Sequence, residues 1–505
     1  MHLFSYTKNT FLVLQLFTVL TSLSVIRVNA EPEKKPNIIF IMADDLGWQD
    51  VGFMGSKYFE TPHLDALAEQ SLVFQNAYMY PTCSPSRAAL LTGQQSFRTG
   101  CYTVPVLEKG KSEDNIFSKW TVKKNHPLYS EPLHKAGYKL IHLGKWHIVG
   151  PYPDKEDSDT LKKKLHQPKN GDLSWLEKHR SPAIQQFYPT GRGFHENVGG
   201  CWWGDPAKGY DEGYKAPSGG YIAPFKNPFI TEKPDDTWLT DRLTSDAIDF
   251  IERHQAEPFF INLHYYAPHR PTVSRDPTSL AHFQNKPADP VTGQGGSKNM
   301  AAYATMVKSL DDNIKRITDY LDASGLRENT IIFFTSDNGF NGIQSKSNKL
   351  RGAKGYLYEG GIRVPALINW KNTIAPTRSQ CTIQGLDYFP TFLELAGISD
   401  FTGVLDGDSL VPLINNTPLK ERAIFLHVAS TYKNPPASVI IKGEWKLIQF
   451  LKKGNIELYN LKEDLKESTN RAAQNPEIAE QLVNQLSQWR KTHQVPLPPS
   501  SELAF

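Results

Sequence analysis

Asn37-Ile38-Ile39-Phe40-Ile41-Met42 is an unbroken apolar run that leads into Asp44-Asp45. A strand with one wet face alternates apolar and polar residues. A strand that is apolar throughout is buried on both faces, as in a parallel sheet covered by helices on each side. Shorter runs of the same kind recur at Leu140 to Leu143, Phe259 to Leu263 and Ile331 to Thr335. Helical patterns lie between them, at Thr240 to His254 and Ala301 to Ser324. A further helix runs through Leu64, Leu67, Ala68 and Leu72, opened by Thr61 as cap and Pro62 at the first position. This alternation predicts an α/β domain around a mixed, mostly parallel sheet flanked by helices.

Past residue 415 the pattern changes. Ala423 to Val428, Ser438 to Phe450 and Ile456 to Leu461 read as short successive strands, with turns at Lys442-Gly443-Glu444 and Lys452-Lys453-Gly454-Asn455. A last helix is expected over Pro476 to Thr492. The expected division is a leader at 1–30, a catalytic α/β domain at 31–415, and a small antiparallel sheet with a helix at 416–505. The Gly-, Pro- and Asn-rich stretches 191–230 and 285–299 are loops long enough to be functional.

Residues 1–30 have the makings of a secretory signal peptide: His2 and Lys8, an apolar stretch from Phe11 to Ile26, and a small-residue cleavage site at Val28-Asn29-Ala30. Gln15, Thr18, Thr21, Ser22 and Ser24 interrupt the stretch, so no stable membrane anchor is expected. No cysteine follows it, which argues against a lipoprotein anchor. The chain is therefore expected to be exported, to a periplasm or outside the cell. Its four cysteines, Cys83, Cys101, Cys201 and Cys381, are too few for a disulfide framework. If Cys83 serves catalysis, at most one bridge can form among the rest. Asn415-Asn416-Thr417 is the one glycosylation sequon, and this sparseness favours a bacterial source. A net charge of +3 gives no signal for nucleic acid.

The strongest chemical feature is Pro81-Thr82-Cys83-Ser84-Pro85-Ser86-Arg87-Ala88-Ala89-Leu90-Leu91-Thr92-Gly93. It sets Cys83 at a helix N-terminus, where backbone N–H groups favour anions, with Arg87 one turn on as a fixed cation. The segment resembles the signature of the sulfatase family in full, Cys-x-Pro-x-Arg followed by Leu-Thr-Gly. The resemblance extends over nearly the whole mature chain. It implies an alkaline-phosphatase-like fold and hydrolysis of sulfate esters. It also implies conversion of Cys83 to formylglycine by a maturation enzyme, the hydrated aldehyde then attacking sulfur.

Other segments carry the same likeness. Gly144-Lys145-Trp146-His147 resembles the family's second signature, with Leu140 and Leu143 departing from it in the preceding strand. Asp44-Asp45 and Ser336-Asp337-Asn338-Gly339 each follow an apolar strand, and ligands of open α/β sheets bind beyond the carboxyl ends of strands. Converging carboxylates there would repel one another without a cation, and an oxygen-rich set suits one Ca²⁺. The expected ligands are Asp44, Asp45, Asp337 and Asn338 with residue 83. Ala267-Pro268-His269-Arg270-Pro271 resembles the family's Ala-Pro-His-x-Pro, which assigns the leaving-group acid to His269, while His264 reads as a packed strand residue. Arg351-Gly352-Ala353-Lys354-Gly355 supplies Lys354 as the sulfate-binding lysine, and Arg363 reads as a brace for that loop. Lys145, Lys354 and Arg87 supply positive charge, and His147 takes the proton that lets sulfate leave.

Candidate substrate residues are Arg98 after the nucleophile helix, His195 within Gly193-Phe194-His195-Glu196-Asn197, and Trp203 within Cys201-Trp202-Trp203-Gly204. Aromatic faces stack on sugar rings, so the expected substrate is a sulfated oligo- or polysaccharide. The rival readings are a phosphate or phosphonate ester hydrolase of the same superfamily, and a non-catalytic homologue that binds sulfated glycans.

Overall fold

The computed structural model describes residues 35–150, 153, 181–206, 220–225, 227–231, 237–342 and 349–503. The expected signal peptide lies outside the described residues. The apolar run of the amino-terminal segment becomes strand β1 (Asn37–Ala43), fully buried along its length. Its odd and even residues enter different cores. Ile39 and Ile41 pack with helices α3 (Leu239–His254) and α4 (Lys298–Ala323), and with α1 (Pro62–Ala68). Ile38 and Phe40 pack with α2 (Cys83–Thr92) and α5 (Tyr388–Leu395) on the other face. This two-sided burial is the physical reason the run does not alternate.

The other strands of the main sheet are β2 (Leu72–Tyr78), β3 (Lys139–Gly144), β4 (Glu196–Val198), β5 (Phe259–His264), β6 (Thr330–Ser336), β7 (Arg363–Trp370) and β8 (Thr377–Gln384). Their order is β4-β3-β5-β1-β6-β7-β2-β8. All neighbours pair in parallel except at β7, which runs against both β6 and β2. Four more strands, β9 (Ala423–Val428), β10 (Ala437–Lys442), β11 (Trp445–Phe450) and β12 (Ile456–Asn460), form an antiparallel sheet covered on one face by α6 (Pro476–His493). The mixed, mostly parallel sheet and the smaller C-terminal one are those of the alkaline-phosphatase-like fold.

The first helix differs from expectation in two ways: it stops at Ala68, so Leu72 opens β2 instead, and its cap is built differently. Thr61 sits at the N-cap of α1, but its hydroxyl does not cap. It accepts from Gly52 N at 2.8 Å and donates to Asp65 at 2.9 Å, while Asp311 of α4 takes the orphan N–H groups of His63 (3.2 Å) and Leu64 (2.7 Å). Strand β7 contains Pro365, which cannot donate to a ladder. Gln75 and Asn76 of β2 bulge opposite it, and Arg363 donates to the Gln75 carbonyl at 2.7 Å.

The second sheet is tied to the first by charge as well as by apolar packing. Lys446 of β11 is fully buried between Glu359 (2.9 Å) and Glu467 (2.8 Å), and Glu359 also receives Arg363 (2.9 Å) and the Tyr78 hydroxyl (3.0 Å). Removing the one cation on β11 leaves Glu467 without its cation in the interior and Glu359 with Arg363 alone. Lys446→Met is therefore expected to lower unfolding free energy by about 3–5 kcal/mol, read from the denaturant midpoint at constant m-value.

Candidate active site

The parallel register delivers the site. Ala43 of β1 lies opposite Ser336 of β6, and Met42 and Gly144 both lie opposite His264 of β5. The segments that leave these strands therefore emerge side by side: Asp44-Asp45 after β1, Asp337-Asn338 after β6, Lys145 to His147 after β3, and His269 after β5. The segment after β2 brings Cys83, and the one before β7 brings Lys354. Backbone contacts cross-brace them. Asp44 N donates to Ala267 O at 3.1 Å, Asp337 N to Ala43 O at 3.1 Å, and Asp45 N to the Asp337 carboxylate at 3.1 Å. The Ser336 hydroxyl takes Leu46 N at 3.0 Å, fixing one acidic turn to the other. Gly144 has φ +89, and a Cβ there would lie 2.0 Å from the His264 carbonyl, so only glycine lets β3 turn against β5. Asp45 (φ 63) and His147 (φ 57) also hold left-handed backbone, a strain that clusters at functional sites.

Each buried carboxylate has a cation. Arg87 donates through Nε (3.0 Å) and a terminal nitrogen (2.9 Å) to Asp337. Lys145 Nζ meets Asp44 at 2.6 Å, and Lys354 Nζ meets Asp45 at 2.6 Å and Cys83 Sγ at 3.0 Å. The expectation that the carboxylates need a metal merely to coexist is thus revised, because three side-chain cations already balance them. The case for an ion rests instead on leftover oxygens. The carboxylate and imidazole ligand atoms of Asp44, Asp45 and His269 and the Cys83 sulfur all lie within 4.8 Å of one another. Among the described residues, Asn338 Oδ1 is buried without a hydrogen-bond partner, and Asp44 Oδ1 meets Cys83 Sγ at 3.5 Å and Arg87 at 3.9 Å. An oxygen-rich donor set fits a hard divalent cation.

Titration follows position. Burial, then the neighbouring Asp337 charge, pushes Asp44 up against the pull of Lys145. Burial also opposes ionisation of Asp45, but Lys354, His269 and Lys145 outweigh it and hold that carboxyl below its usual range. Burial raises the Cys83 thiol well above its usual range, so an unmodified Cys83 is protonated and a poor nucleophile. His269 donates from Nδ1 to the Arg270 carbonyl (2.8 Å) and turns Nε2 to Asp45 at 3.6 Å. Burial pushes it down, and Asp45 pulls it up. His147 is driven well below the imidazole range by burial and by Lys145, and its buried Nδ1 has no partner.

His264 settles beneath the site. It is fully buried in β5, and its Nδ1 lies 3.2 Å from a terminal nitrogen of Arg87 that also reaches the Lys145 carbonyl at 2.9 Å. Arg87 carries no acceptor, so His264 must present a lone pair there and stays neutral. Arg87 spends its donors on Asp337, the Lys145 carbonyl and His264, which makes it a brace for Asp337 within this geometry. Arg363, as expected, is a brace for its loop.

The three candidate substrate residues are not brought to this cluster. Arg98 pairs with Asp406 at 2.8 Å and reaches His493 of α6 at 3.3 Å. His195 accepts from Leu140 N at 3.1 Å, at the amino end of β3, and stacks on His134 with ring centres 4.4 Å apart. Trp203 is only 2% exposed and packs in the core, so it has no open face for a sugar. Sequence reasoning also missed Tyr303, whose hydroxyl contacts the Asp45 carbonyl (3.1 Å) and Asp50 (2.7 Å).

Residues 36–398 match the sulfatase family, and residues 353–492 match a family described as N-sulphoglucosamine sulphohydrolase, C-terminal. The chain belongs to the sulfatase family. It is a sulfuric ester hydrolase. It is 30% identical to a sulfatase of Formosa agariphila, over 91% of this chain and 89% of that protein. It is also 30% identical to the N-acetylgalactosamine-6-sulfatase of Mus musculus, over 83% of this chain and 73% of that one. Among solved structures it is similar to Ps i-CgsB in complex with k-i-k-neocarrahexaose, at 27% identity and TM-score 0.70, over 90% of this chain and 93% of that one.

His264→Leu is expected to leave a buried Arg87 donor without an acceptor and to cost about 1–3 kcal/mol in thermal or chemical unfolding. His264→Asn, which offers an oxygen near the lost Nδ1, should recover part of that loss.

Proposed function

We propose that the protein removes sulfate from a sulfated carbohydrate, with Cys83 converted to formylglycine by a maturation enzyme and one calcium ion bound beside it. The observation that carries this reading is Cys83 at the N-terminus of α2, its sulfur 3.0 Å from Lys354 Nζ and within 3.8 Å of Asp44 and Asp45. Here the sulfur stands in for the oxygens of the hydrated aldehyde. That hydrate supplies a hydroxyl nucleophile and a second hydroxyl through which the aldehyde can reform, releasing sulfate. Asp44, Asp45, Asp337 and Asn338 would hold the calcium, which supplies Lewis-acid charge toward the sulfate oxygens. The sulfated-sugar complexes among similar structures support the substrate class. Export is part of the same proposal. Among the described residues, no helix is long and apolar enough to cross a membrane.

The chain's own groups divide the work. Three carboxylates and three side-chain cations sum to neutrality, so a bound dication would turn the site into a net positive hole for an anionic ester. Lys354 and Lys145 orient sulfate oxygens, and Arg87 holds Asp337. His147 accepts a proton at residue 83, its position held against the Gly204 backbone. His269 gives a proton from Nε2 to the departing alcohol oxygen. A phosphate or phosphonate ester hydrolase is less favoured, because the intact Cys-x-Pro-x-Arg segment and one oxygen-rich cluster suit sulfate transfer to a modified cysteine.

The tryptic peptide ending at Arg87 should have a mass below that of its cysteine form, and Cys83→Ser should fold but lose multiple turnover. Full activity in Cys83→Ala would overturn the nucleophile assignment. Chelation should lower activity, and Asp337→Ala should abolish calcium in elemental analysis; stoichiometric zinc without calcium would count against the ion. His269→Ala should harm hydrolysis of a sugar sulfate far more than that of nitrophenyl sulfate, whose leaving group is already a stable anion. His147→Ala should slow both substrates alike.

A further inference from the structure

Two loops meet at the mouth of the site. In one, the Gly204 backbone lies so close to His147 that a Cβ would sit 2.7 Å from both Cε1 and Nε2 of the ring, and Asp205 follows directly. In the other, the carbonyl of Arg270 is 2.8 Å from His269 Nδ1, so the Arg270 side chain leaves the same peptide that aims the leaving-group acid. The two side chains face each other, Arg270 Nε to Asp205 Oδ2 at 3.8 Å, with Arg270 52% exposed and Asp205 9% exposed. Beneath them Tyr221, fully buried, sets its hydroxyl at the carbonyls of Tyr266 (2.7 Å) and His269 (2.8 Å). Burial and then the carboxylates of Asp44, Asp205 and Asp45 keep that phenol protonated, which ties Asp205 electrostatically to the acidic pair of the site.

We propose that Asp205 and Arg270 form a recognition subsite on the leaving-group side, for a sugar bearing a second anionic group, sulfate or carboxylate. The inference rests on the carbohydrate reading above. The pair links a residue beside His147 to a residue beside His269, which sets it next to both histidines. At 3.8 Å the pair is long, and the half-exposed guanidinium of Arg270 stays open to solvent and to a ligand. A nearly buried carboxylate accepts hydrogen bonds from sugar hydroxyls. A guanidinium binds a sulfate or carboxylate through two parallel N–H groups, which an ammonium cannot do. The scissile sulfate is served by Lys145, Lys354 and the acidic cluster, so the charge of Arg270 addresses a different anion. An aryl sulfate offers neither hydroxyls nor a second charge.

The test measures KM and kcat on four substrates: nitrocatechol sulfate, a singly sulfated neutral oligosaccharide, a doubly sulfated one, and a sulfated one containing a uronate. The same oligosaccharides are titrated as inhibitors of nitrocatechol sulfate hydrolysis. Arg270→Gln should raise KM and the inhibition constant for doubly anionic sugars about tenfold more than for the aryl sulfate, with kcat little changed and the difference shrinking as salt rises. Arg270→Lys should fall between. Asp205→Asn should weaken every oligosaccharide relative to the aryl sulfate. The doubly sulfated and uronate arms tell which anion is read. An equal factor on all four substrates, or no effect on the doubly anionic ones, overturns the subsite while leaving the carbohydrate reading intact. If the unaltered enzyme turns over the aryl sulfate but is neither fed nor inhibited by any sulfated oligosaccharide, both fall together.

Discussion

The contact on which the site depends is the grip of Arg87 on Asp337. A carboxylate sealed from water at the end of β6 is costly unless a charge meets it with good geometry. Arg87 supplies that from the first turn of α2, the helix whose first residue is Cys83. One ion pair therefore ties the helix that begins at Cys83 to the acidic turn after another strand. His264 and the Lys145 carbonyl complete the coordination of the guanidinium, which brings β5 and the segment after β3 into the same arrangement. Positioning at the centre of the sheet is thus electrostatic, while the helices outside it are held by apolar burial.

Charge balance gives this arrangement its chemical character. The pairs Arg87–Asp337, Lys145–Asp44 and Lys354–Asp45 leave the protein part close to neutral. A neutral, preformed cluster is folded at tolerable cost and still offers unsatisfied oxygens at Asn338 and Asp44. A divalent ion held there would change the sign of the field without rebuilding the walls. Lys354 is the side chain best placed to respond, since it touches both Asp45 and the residue 83 sulfur.

Strands β1, β3, β5 and β6 were readable from sequence because burial on both faces writes itself as an unbroken apolar run. Strand β7 was hidden by Pro365, β2 by the Gln75-Asn76 bulge that accommodates it, and β8 by the polarity of an edge. Strand β4, with three residues, is too short to have a pattern. Asp44, Asp45 and Asp337 were readable because each directly follows a buried strand, whereas Cys83, Lys145 and Lys354 were readable through motifs that resemble those of the sulfatase family. His195 was misleading for the opposite reason: its loop precedes β4 and so meets the amino end of β3, away from the chemistry. The packing of His264 under Arg87, and the meeting of Asp205 with Arg270, join residues far apart in the chain, and no local pattern announces such contacts.

The buried triad of Glu359, Lys446 and Glu467 has a consequence for how chains of this kind diversify. Glu359 stands five residues after Lys354, in the segment before β7, and its partner cation comes from the antiparallel sheet. A crossover between the two sheets would part Glu359 from Lys446 and leave Arg363 as its cation. The match to a C-terminal family model starts at residue 353, immediately before Lys354, and runs to 492. The matched segment holds Glu359, Lys446 and Glu467 together, so this buried charge cluster lies wholly within it.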